Sequence, residues 1–93
     1  MKPEYIIKCY YLFGKDFDEC DEEPDEIFNN AKEAIKEAKL LAMNELEVWT
    51  HEHPEYESSI SYPQSYHKDS LIRIKIDYGT YDGQCCYYEV VPV

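Results

Sequence analysis

Three kinds of residue in this chain have the chemistry to build a site: a dense run of carboxylates, a set of thiols and imidazoles, and an excess of tyrosines. Eight of the eleven residues from position 16 to position 26 are acids, namely Asp16, Asp18, Glu19, Asp21, Glu22, Glu23, Asp25 and Glu26. Clustered carboxylates suit hard cations such as calcium. An EF-hand loop, however, wants Gly at its sixth position and Glu at its twelfth, and counting from Asp16 these are Asp21 and Ile27. The calcium geometry fails at its two most diagnostic positions. What remains is a contact for Lys and Arg on a partner, set against the plainer reading of a solvated acidic loop.

The thiols and imidazoles are Cys9, Cys20, Cys85, Cys86, His51, His53 and His67. A structural zinc site needs four ligands in recognisable pairs. Here only His51-Glu52-His53 and the vicinal Cys85-Cys86 lie close together, and adjacent residues of a strand point to opposite faces. The reading is no metal and no cofactor. The cysteines have no disulfide-framework spacing, and a free buried cysteine behaves as a small hydrophobe. A thiol nucleophile needs a base and a lowered pKa, whereas an acidic chain raises it. The only glycines are Gly14, Gly79 and Gly83, so no phosphate loop, dinucleotide fingerprint or nucleophile elbow exists. The chain reads as not an enzyme.

Ten tyrosines are the third signal. About half fall in strand-like runs and belong to a core. Tyr56, Tyr62, Tyr66 and Tyr81 fall in loops, and tyrosine is enriched at protein interfaces because it joins a large apolar area to a polar tip.

These residues must be positioned by few elements. The chain has 93 residues, 44% hydrophobic and 15% aromatic, which predicts one folded domain over 1–93 rather than a disordered chain. Residues 4–13 alternate as a strand, with Ile7, Cys9, Tyr11 and Phe13 on one face and Ile6, Lys8, Tyr10 and Leu12 on the other. A mobile acidic loop follows at about 15–27. Asn30 is a helix N-cap with Glu33 three residues on. Ala31, Ala34, Ile35, Ala38, Leu41, Ala42, Leu46 and Trp49 then recur at helical spacing to about Thr50, opposite Lys32, Glu33, Lys36, Glu37, Asn44 and Glu47. His51 and His53 read as loop residues past its end, because the residue before Pro54 leaves the helical region.

Residues 59–62 form a short alternating strand. Leu71–Tyr78 is a cleaner one, with Ile72, Ile74, Ile76 and Tyr78 inward and Arg73, Lys75 and Asp77 on a wet side. Turn chemistry at 79–83 leads into a closing strand from Gln84 to Val91. The fold class is α+β: one long amphipathic helix packed on one face of a small, mainly antiparallel sheet of three to four strands, in the order β-α-(β)-β-β. The preferred arrangement sets the C-terminal strand between the first and the Leu71 strands. The sheet face away from the helix, with its tyrosines and charges, is the expected working surface.

Twenty acids against nine bases give a net charge of −11. Such a surface repels nucleic-acid phosphates and anionic membranes and attracts a basic partner. The N-terminal stretch has no apolar core of the signal-peptide type and no stretch is long enough to span a bilayer, so the expected location is the cytoplasm, where thiols stay reduced. In size, acidity and lack of motifs, the whole chain is similar to phage-encoded inhibitors of bacterial defence, including anti-CRISPR proteins and other nucleic-acid mimics. That resemblance implies a protein whose carboxylates imitate a phosphate row and occupy the basic groove of a nucleic-acid-binding effector. The imitating charges would be the acids of 16–26 with Glu33, Glu37 and Glu47 of the helix, anchored by Tyr56, Tyr62, Tyr66 and Tyr81. The alternative is an adaptor, a regulatory subunit or a homodimer that binds a protein partner without mimicry, through a sheet edge or the tyrosine-rich face.

Overall fold

The computed structural model describes residues 3–13, 16–19, 27–63, 69–81 and 83–93. Its elements in chain order are β1 (Tyr5–Phe13), β2 (Asp16–Glu19), α1 (Ala31–Glu52), β3 (Ser59–Ser61), β4 (Ile72–Asp77) and β5 (Cys85–Pro92). The strands form one antiparallel sheet in the order β2-β1-β5-β4-β3. The C-terminal strand therefore lies between β1 and β4, as the one-sided pattern of β4 predicts. Five strands replace the expected three to four, and β2 is the addition. It occupies the first residues of the segment read as an acidic loop. Its acids have low strand propensity, and pairing with β1 from Tyr10–Glu19 to Phe13–Asp16 supplies the order that propensity does not. Residues 20–26 of that loop lie outside the described residues.

Helix α1 begins where its cap chemistry says it should. The Asn30 side-chain oxygen accepts from the Lys32 N–H at 2.8 Å and the Glu33 N–H at 3.4 Å, satisfying donors that the first helical turn leaves open. The helix ends at His53, whose N–H donates to the Trp49 carbonyl at 2.8 Å. His51 is thus helical and His53 is the C-cap, a correction to the loop assignment of both.

Ala34, Ala38 and Ala42 are fully buried against Ile74, Ile76, Tyr78, Cys86, Tyr88 and Val90. Three alanines along one stripe let the helix axis approach the sheet, while Ile35, Leu46 and Trp49 fill the flanks. Leu41 falls just outside this stripe and is 39% exposed, contrary to its expected place on the apolar face.

The second face of the sheet differs from expectation. Tyr10, Cys85 and Tyr87 form a separate buried cluster there with Leu12 against it, and Arg73 and Glu89 are buried beside them. Register sets Glu89 directly between Lys8 of β1 and Arg73 of β4, so a carboxylate is flanked by a cation on each neighbouring strand. The Arg73 guanidinium lies 4.1 Å from the centre of the Tyr87 ring and the Lys75 ammonium 6.0 Å from it. The supposed wet side of β4 is covered because a flat guanidinium on an aromatic face can be buried along its length.

Candidate functional site

Three connections meet at one end of the sheet. Register places the β4–β5 turn, the end of β1 and the start of β2 together, since Asp77 pairs with Cys85, Leu12 pairs with Cys85, and Phe13 pairs with Asp16. The C-terminal end of α1 joins them through Trp49. Its indole N–H donates to the Tyr78 carbonyl at 3.0 Å, and its ring lies 4.4 Å from that of Tyr78. His53 packs on Trp49 with ring centres 4.1 Å apart, and Tyr56 stacks at 5.9 Å. The half-buried indole thus ties helix, loop and sheet into one platform.

The turn itself is held by backbone chemistry. Asp77 Oδ1 accepts from the Gly79 N–H at 2.9 Å, and the Thr80 hydroxyl accepts from the Gln84 N–H at 3.0 Å. Gly79 has a φ of +71° and runs so close to the backbone of Glu57 that a Cβ would collide with it. This close approach is what brings the loop after α1 against the turn.

The electrostatics of this end follow from the sequence. The described acids at or near this end are Glu45, Glu47, Glu52, Glu55, Glu57 and Asp77, with Lys75 two residues before Asp77 on β4. No Lys or Arg occurs between Lys39 and Lys68. His53 Nδ1 lies 3.6 Å from a carboxylate oxygen of Glu55. The cations among the described residues are Lys32, Lys36 and Lys39 on the first half of α1, and Lys8, Arg73 and Lys75 on the second face of the sheet, where Lys75 is two residues from Asp77.

The expected site residues separate on this frame. Asp16, Asp18 and Glu19 lie on edge strand β2, while Asp21, Glu22, Glu23, Asp25, Glu26 and Tyr66 lie outside the described residues. Glu33 and Glu47 are exposed and Glu37 half-buried on α1, but Lys32, Lys36 and Lys39 interleave with Glu33 and Glu37, so the helix does not present an unbroken acid row. Tyr81 is fully exposed at the turn, Tyr56 is 37% exposed beside Trp49, and Tyr62 is 59% exposed just past β3. Tyr56 and Tyr81 flank the acidic end. Glu52, Glu55 and Glu57 were missed by sequence reasoning, and the readable signal for them was the long stretch without a cation.

The tyrosine-rich sheet face is not an open surface. Tyr10 and Tyr87 are 6% and 7% exposed within the single chain, so these two rings have little area to offer a partner.

The buried groups show structural chemistry. Tyr78 donates its hydroxyl proton to Glu45 at 2.8 Å. Burial, with the neighbouring Cys86 and Glu45, pushes its pKa far above the ordinary tyrosine value, and burial with Cys86 and Cys9 does the same to Tyr88. Cys9 and Cys86 are free thiols with sulfurs 3.8 Å apart, and Cys85 is buried on the opposite face from Cys86. Cys20 and His67 lie outside the described residues. Among the described residues no group of three or more His, Cys, Asp or Glu is placed to hold a metal ion, and no helix is long and apolar enough to cross a membrane.

Comparison with protein-family models, curated proteins and solved structures finds no match to this chain.

Proposed function

We propose that the chain is a small acidic inhibitor that works by binding: it docks on the basic, nucleic-acid-binding surface of a partner protein and catalyses nothing. The observation that supports this reading is the separation of charge over the fold. Glu47, Glu52, Glu55 and Glu57 fall in a stretch of chain without Lys or Arg, and the loop carrying Glu57 meets the β4–β5 turn beside exposed Tyr56 and Tyr81. The acids of β2 begin at the same end of the sheet, and the run to Glu26 continues from them in sequence.

Such an end offers carboxylates to Lys and Arg and tyrosine rings to the apolar stems behind them. Binding would release the counterions gathered on the partner's groove, so affinity falls steeply with salt. The two tyrosines would be the desolvated anchors, because small-entropy aromatic side chains carry a disproportionate share of interface energy. The biological setting that fits is the cytoplasm of a bacterium, where a phage inhibitor of the anti-CRISPR kind would meet its effector.

The test is a tagged pull-down from bacterial lysate, washed at low and at high salt, followed by competition with DNA or RNA. The reading expects a nucleic-acid-binding protein that is captured at low salt, shed at high salt, and displaced by its own nucleic acid. Capture that ignores both salt and nucleic acid would sink it in favour of an adaptor that binds without mimicry.

A further inference from the structure

The exposed side of α1 carries a pattern of which the proposed function uses only Glu47. An open groove along it is lined by Lys32, Ile35, Lys36, Lys39, Leu40 and Met43. Leu40 is 52% exposed and Met43 61%. Single exposed apolar residues are ordinary, but these two are adjacent on the helix and edged by like charges. Lys32 and Lys36 are four apart and Lys36 and Lys39 three apart, spacings at which equal charges on a helix repel. Among the described residues no ion pair joins Lys36 or Glu47.

The spacing says what would cover this groove. Lys36 lies four residues before Leu40, Met43 three after it, and Glu47 four after Met43. Steps of four, three and four keep all of them on one stripe of a helix packed against another helix. The stripe is also self-complementary when reversed. Turning α1 end for end about the midpoint between Leu40 and Met43 brings Leu40 onto Met43 and Lys36 onto Glu47.

We infer that α1 is the contact surface of a homodimer in which two copies pair this helix antiparallel about a two-fold axis, Leu40 against the partner copy's Met43 and Lys36 against its Glu47. The two-fold makes each contact twice, as an isologous interface requires. Antiparallel packing also opposes the two helix dipoles favourably. Each helix is then sandwiched between its own sheet and the other helix, and the two acidic ends face opposite ways. The helix is about 33 Å long, so the buried patch is smaller than the roughly 800 Å² per partner of a standard interface, and the dimer is a weak one.

The experiment is sedimentation equilibrium from about 10 μM to about 1 mM. Wild-type protein is expected to dimerise within this range. K36E and E47K are each expected to weaken the dimer by about tenfold, since each turns two attractive contacts into repulsive ones. An equimolar mixture of K36E and E47K restores it, because every contact becomes Glu against Lys again. Circular dichroism melts verify that each variant is folded. Leu40→Ser with Met43→Ser supplies a second test that leaves the charges alone and also dissociates the dimer. A wild-type chain monomeric to about 1 mM overturns the inference. So does a dimer indifferent to the single charge reversals, or a mixture no tighter than its components.

Discussion

Gly79 and Gly83 both adopt positive φ, at +71° and +73°, but their surroundings differ. A side chain at Gly83 meets open space, so Gly83→Ala pays only backbone strain, about 1 kcal/mol. Gly79→Ala adds a collision with the Glu57 backbone, and about 3 kcal/mol is expected. Denaturant melts of the two variants should rank in that order. Equal losses would show that the loop after α1 can move away from the turn at little cost. Trp49 ties the same region together, and Trp49→Ala should cost about 3 kcal/mol, the lower end for a large aromatic because the indole is half-buried. The buried tyrosines set a limit in pH. Their folded pKa values are raised, so the fold favours the neutral phenol. Stability from this source is complete below the ordinary tyrosine pKa of about 10 and declines as pH climbs beyond it. The melting temperature should fall above about pH 10, and Tyr78→Phe combined with Tyr88→Phe should flatten that fall.

At the scale of elements, much of the fold was legible. The Asn30 cap, the 3.6-residue recurrence of the helix alanines and the period-two alternation of Ile72, Ile74 and Ile76 each have a local physical cause, and each reads directly from the residues. Asn30→Ala should cost about 1 kcal/mol in a thermal melt, the usual worth of a cap. Strand β2 was not legible, because three of the four residues of Asp-Phe-Asp-Glu disfavour a strand and the segment is ordered by pairing with its neighbour. A strand so rich in acid also suits a sheet edge, where charge discourages pairing with other chains. The second sheet face misled for a different reason: Arg73 looks polar in a sequence yet lies flat on Tyr87. The candidate site was half legible. The stretch from Lys39 to Lys68 without a cation is visible in the sequence, but the joining of Glu57 to the β4–β5 turn depends on a glycine approach between residues far apart along the chain.

For the molecule as a whole, a charge of −11 makes the compact state repel itself. Raising the salt from about 20 mM to about 500 mM screens that repulsion, so the melting temperature should increase even as binding to a basic partner weakens. A melting temperature that fell with salt would mean that internal ion pairs outweigh the net repulsion. Reversing Glu52, Glu55 and Glu57 to Lys together should leave the melt within about 1 kcal/mol of wild type, since exposed charges contribute little to folding. It should abolish capture of the partner in the pull-down. Unchanged capture would place the contact elsewhere, on the acids of 16–26.

The central place of β5 bears on how the chain is made. Among the described strands it is the last to be synthesised, yet it alone joins the β1–β2 hairpin to the β3–β4 hairpin. Until it leaves the ribosome, the two halves share no strand pairing and the apolar face of α1 has an incomplete sheet to cover. Closure then joins positions as distant as Tyr5 and Pro92, a pairing that is slow because so much chain must be brought together first. The nascent protein therefore passes through an interval with its apolar strands uncovered. Its many acids, by keeping such chains apart, help to protect it before the fold exists.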